Sequence, residues 1–157
     1  MSKKQLCRLF EIIRWVCVAA GFNIAIFFGE TPAAQLHIYM PWVVLPLAGL
    51  TGLESVLLGE TAAELSGYKS NPGYQRQSGL NNIAVAIAAL VVWLYDWGTH
   101  AEAAVMLTLL VFLTLSACNH AWSALKENNL SRKNLLRPVM TLLLLGFTVP
   151  FVVRALK

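Results

Sequence analysis

A chain of 157 residues that is 57% hydrophobic and only 13% charged, with a mean hydropathy of +0.61, cannot keep a small folded surface wetted; soluble domains carry about 25% charged residues. The net charge of +4 does not point to nucleic acid, because the basic residues flank apolar runs and form no single patch or stripe. Cys7, Cys17 and Cys118 make no CxxC and no even framework, which argues against a disulfide scaffold and a cysteine metal site.

The chain begins with Lys3, Lys4 and Arg8, but no A-x-A site follows the first apolar run, which is therefore expected to be an uncleaved span. Crossing the hydrocarbon core takes about 20 mostly apolar residues, and five stretches qualify: Leu9 to Gly29, Pro41 to Leu65, Leu80 to Trp97, Ala101 to Leu125 and Arg137 to Ala155. The expected fold is thus all-α, a single integral membrane helical bundle of about five transmembrane helices covering residues 1–157. Lys3, Lys4 and Arg8 precede the first span; Lys69 and Arg76 fall in the second connection, and Lys126, Arg132 and Lys133 in the fourth. The first and third connections hold no Lys or Arg, an alternation that places the N-terminus in the cytoplasm. Pro41 and Pro138 are expected in first helical turns, and Pro46 and Pro150 are expected to kink their spans. Asn71-Pro72-Gly73 predicts a tight turn, with Ser78 or Asn81 capping the third span. Trp15, Trp42, Trp93, Tyr95 and Trp97 are expected near the interfaces.

Placed by depth, the polar residues of all five spans gather toward the cytoplasmic side, while the outward half offers only Asn23. Ser116, Asn119, His120 and Ser123 stand at i, i+3, i+4 and i+7 and so share a helical face, with His120 roughly 9 Å from the boundary at Lys126. An ionisable side chain at depth costs about 2.5–3.5 kcal/mol on insertion scales, so Glu54 is expected to be paired or protonated. The candidate ligand-binding set is His120, Asn119, Asn82, Glu54, Glu60, Arg76 and Arg137. Interhelical hydrogen bonding is the first account of Asn119 and His120, ahead of ligand or proton handling and of metal or haem ligation; a helix start accounts for the Asn81-Asn82 pair, and solvation beyond the bilayer accounts for Glu60 and Glu64. No HxxxH or ExxH spacing supports a metal site, and His37 and His100 fall on the opposite side from His120, so no bis-histidine haem pair is expected. No serine triad and no phosphate-binding glycine loop is present.

The runs "NPGYQRQSGLNNIAVAIAAL", "NHAW" and "NLLRP" resemble a family of small bacterial multi-spanning proteins, a domain of unknown function loosely related to the DoxX-like membrane proteins. The matching positions are Tyr74, Gln75, Arg76, Asn81, Asn82, Asn119, His120, Asn134 and Arg137. The resemblance implies a helical bundle in a bacterial inner (plasma) membrane and a quinone-associated or redox-accessory role. The leading expectation is a protein that binds a lipid or quinone, or serves as an accessory subunit, through a polar cavity open to the cytoplasmic side. Alternatives are a membrane enzyme using a His/Glu acid–base pair, a proton- or ion-coupled transporter, and a structural subunit packing through Ala84, Ala86, Ala88 and Ala89. Whether any reaction is catalysed is not decided by these residues, and no cofactor can be named.

Overall fold

The Ser2 hydroxyl accepts from the Gln5 backbone N–H while the Gln5 side-chain oxygen accepts from the Ser2 backbone N–H, a reciprocal cap that starts the first helix, α1, Lys3–Phe28. Thr31 caps α2, Pro32–Val44, whose first residue is a proline that has no amide to leave unpaired. In the computed structural model, which describes residues 1–157, α2 passes without a break into a π-helical segment, Leu45–Leu50, and then into α3, Thr51–Leu65. Asn71 caps α4, Pro72–Leu94, and α5, Thr99–Lys126, and α6, Arg132–Ala155, complete the chain. No strand is present. The wide π turn lies at Pro46, whose ring excludes an ordinary helical hydrogen bond and clashes with the preceding turn. A second irregularity follows at Leu58, whose backbone leaves the helical region.

Five helices are long and apolar enough to cross a membrane: α1, the continuous α2–α3 rod, α4, α5 and α6. Their outward faces carry large hydrophobic side chains such as Phe27, Leu57, Leu115 and Leu142 in the open. That would be a heavy penalty in water and is the normal state against lipid. The α2–α3 rod runs through the middle, and Leu36, Tyr39, Met40, Val43 and Val44 of α2 are wholly enclosed. Around them, Phe22, Tyr39 and Phe151 pack edge-on or tilted at ring separations of 4.8–6.2 Å. The Tyr39 hydroxyl is satisfied by Thr148 at 3.3 Å. An apolar packed layer therefore separates the two ends of the bundle.

The crossing of α3 and α4 depends on missing side chains. A Cβ on Gly52 would come within 2.7 Å of the Gly79 carbonyl, and one on Gly79 within 2.9 Å of the Gly52 carbonyl. Close backbone approach of this kind replaces the hydrophobic driving force that lipid cannot supply.

Several sequence expectations are corrected. The second span begins at Pro32, so "PAAQLHIYM" is helix and not connection. Pro41 and Pro138 consequently lie inside their helices. Asn71, not Ser78 or Asn81, caps α4. Trp42 packs its Cβ and Cγ into a notch at Gly21, within the bundle's depth and not at an interface.

Candidate functional site

The end of the bundle that carries the N-terminus holds a buried ion network. Arg14 and Glu54 are only 1% and 3% exposed. Each lies about 16 Å along its helix from the terminus at this end, at 1.5 Å per residue, so α1 and α3 bring them to one level. The Arg14 guanidinium donates to the Glu54 carboxylate, to the Leu50 carbonyl at 3.1 Å where the π turn ends, and to Glu11 at 3.1 Å. Lys133, in the first turn of α6, donates to the other Glu54 oxygen at 3.0 Å. Arg137 stands 3.6 Å from Glu11, and the Trp15 indole donates to Glu11 at 3.0 Å. Cys7, only 1% exposed, lies beside this group. Burial of this kind is tolerable only with such charge pairing, because desolvation of each ion costs several kcal/mol; of the Arg14 guanidinium nitrogens only Nε is left without a partner.

Beside the network, α1 and α6 stand apart and leave a groove of about 480 Å³. Arg8, Arg132, Lys133 and Arg137 line it together with the single carboxylate Glu11. Ile12 and Leu136, about one turn in and level with Arg137, and Met140 beyond them add apolar wall. Arg8 and Arg132 have no carboxylate partner, so the groove is cationic at its rim and more apolar below.

His120 belongs to a neighbouring but separate arrangement. Its Nδ1 lies 2.7 Å from the Asn134 side-chain oxygen and 3.2 Å from the Tyr68 hydroxyl, and Tyr68 also donates to that oxygen at 3.0 Å. Asn134, fully buried, returns its amide to the carbonyls of His120 at 3.2 Å and Asn129 at 2.8 Å. Because an amide oxygen can only accept, Nδ1 of His120 carries the proton in this pairing. Asn129 in turn donates to the Ser66 carbonyl at 2.9 Å. Gly67 makes this seat possible: its φ is +73°, and any Cβ there would collide with Asn129. His120, Tyr68 and Asn134 thus tie the α3–α4 connection to the α5–α6 connection.

Of the seven residues expected to form one site, Glu54 and Arg137 meet through Glu11, Arg14 and Lys133. Asn82 is buried on α4, where its amide donates to the Ser78 carbonyl at 2.9 Å, one turn back. Glu60 and Arg76 line a different groove of about 270 Å³ between α3 and α4, with Lys3. Asn119 faces outward and shares no bond with His120. Arg14, Glu11, Lys133 and Tyr68 join these sites without being among the residues the sequence singles out. The i, i+3 spacing of Glu11 and Arg14 inside an apolar run was the available signal, since two ions enter a span together only when something deeper answers them.

The opposite end is not bare, as Asn23 alone had implied. Glu102, 1% exposed in the first turn of α5, meets His37 Nδ1 of α2 at 2.5 Å. Asp96, in the turn after α4, brings its carboxylate close to both: the ligand atoms of the three residues lie within 4.8 Å of one another. Asp96 holds a left-handed backbone with φ +46°. His37 lies in the stretch expected to be a connection, which the structure shows to be the start of α2.

The chain belongs to DUF6790, a family of unknown function, which matches residues 8–156. No curated protein and no solved structure matches it.

Proposed function

We propose that this DUF6790 member binds an anionic amphiphile, a membrane lipid or a quinone-like ring with an acidic head, in the α1–α6 groove at the N-terminal end. The observation that carries this reading is the order of residues along the groove: unpaired Arg8 and Arg132 at the rim, Ile12, Leu136 and Arg137 about one turn in, and Met140 deepest. A headgroup phosphate is matched by guanidinium forks, and an acyl chain lies against the apolar wall. Glu54 and Arg14 serve this site by fixing Lys133, and through Glu11 by orienting Arg137. His120 and Asn134 hold the connections beside it.

The membrane in this reading is the bacterial inner membrane, with the N-terminus in the cytoplasm. Ten of the twelve Lys and Arg residues fall at the N-terminal end of the bundle, Arg154 and Lys157 being the exceptions, and basic residues favour the cytoplasmic side. An accessory role is preferred to transport because the layer around Tyr39 and Phe151 offers a translocated ion only the Tyr39–Thr148 pair. Thermal unfolding of the detergent-solubilised protein tests the proposal. Added phosphatidylglycerol is expected to raise the midpoint by several degrees more than phosphatidylcholine does, and Arg8→Gln/Arg132→Gln is expected to abolish that difference. Equal shifts from both lipids in the unaltered protein would overturn it.

A further inference from the structure

We infer that His37, Asp96 and Glu102 form a binding site for one divalent transition-metal ion, of the Zn²⁺ type, at the end of the bundle opposite the N-terminus. The three ligand atoms come from α2, the α4–α5 turn and the first turn of α5, and all lie within 4.8 Å of one another. Two independent features mark the cluster as more than a polar contact. Glu102 is a buried carboxylate with no Arg or Lys within 4.0 Å, whereas Glu54, buried to a similar degree, has two cations bonded to it. Asp96 makes no side-chain hydrogen bond and no ion pair, yet its carboxylate is held beside that of Glu102. Two carboxylates at this separation repel unless a cation stands between them.

The donor set selects the class of ion. One imidazole nitrogen with two carboxylate oxygens suits Zn²⁺ and its first-row neighbours, while Ca²⁺ and Mg²⁺ favour oxygen alone. Bonds of about 2.0–2.2 Å to nitrogen and oxygen require the three donors to spread around a common centre. The His37–Glu102 pair, at 2.5 Å, must therefore open slightly while Asp96 moves in. Asp96 is exposed on a turn, and the His37 side chain is 41% exposed, so both can adjust and an ion can enter from the aqueous side. Two negative carboxylates and a neutral imidazole match the charge of a divalent ion, and three protein donors leave a fourth position for water.

The test uses the full-length, tag-free protein in detergent micelles. Zn²⁺ binding is followed by calorimetry, and Co²⁺ is titrated as a spectroscopic substitute by its visible absorption. One saturable equivalent is expected, with intensified Co²⁺ bands of tetrahedral or five-coordinate geometry. Asp96→Asn is expected to weaken binding at least tenfold, His37→Gln more, and His100→Ala not at all. Asp96 holds no structural bond, so its substitution decides the matter even where loss of the His37–Glu102 pair impairs folding. Absence of saturable binding in the unaltered protein, or equal affinity in Asp96→Asn, would overturn the inference.

Discussion

Glu54 and Glu102 are buried to nearly the same degree at opposite ends of one bundle, and they are stabilised in different ways. Glu54 is answered by Arg14 and Lys133, cations that are permanent in the protein. Glu102 is answered by a histidine, with a second carboxylate nearby and no permanent cation. The first arrangement supplies its own counter-ions and leaves excess positive charge for a groove at its edge. The second is incomplete in charge, which is why a cation from outside fits it. Burial alone therefore says little about what an ionisable group does in a membrane bundle; the identity of its partner says more.

The largest expected effect comes from breaking the Glu54 end. Arg14→Met leaves Glu54 short of its main counter-ion, and loss of one member of a buried pair costs about 3–5 kcal/mol. Equilibrium unfolding in mixed micelles should show this. Arg14→Met/Glu54→Met should recover a substantial part of the loss, since the orphaned charge is then gone. Asn134→Leu is expected next, at about 1–3 kcal/mol, because it strips partners from His120, Tyr68 and the Asn129 carbonyl. Binding of anionic lipid should survive at matched folded fraction, because Asn134 ties connections and does not line the groove. His37→Gln removes a partner from Glu102 and is expected to cost about 1–2 kcal/mol without metal, with a larger gap between the two proteins once Zn²⁺ is present. Smallest is Arg8→Gln on the groove rim, where stability should change by no more than about 0.5 kcal/mol. If Arg8→Gln destabilises as much as Arg14→Met, the division between buried network and free rim is wrong.

The five spans were readable because a run of about 20 apolar residues has few other uses. Their ends were less so. Helices run past hydrocarbon wherever a cap lets them, as Thr31 and Asn71 do for α2 and α4, and hydropathy does not register capping. Hydropathy therefore leaves His37 outside the second span, and half of the His37–Glu102 pair with it. Glu54 was legible as a residue in need of a partner; Arg14 was present in the sequence but its partner lay 40 positions away. Asn119 shows the limit of helical phase. It shares a face with His120 on paper, yet neighbouring helices cover only part of that face, and the tie to Asn134 engages His120 while Asn119 remains outside.

Native mass spectrometry of the protein released from micelles after mild extraction addresses the groove directly. The account predicts one retained anionic lipid or quinone-like molecule on the unaltered protein, and its loss in Arg8→Gln/Arg132→Gln at unchanged fold. An amphiphile retained equally by both proteins, or none retained by either, would contradict a cationic site between α1 and α6.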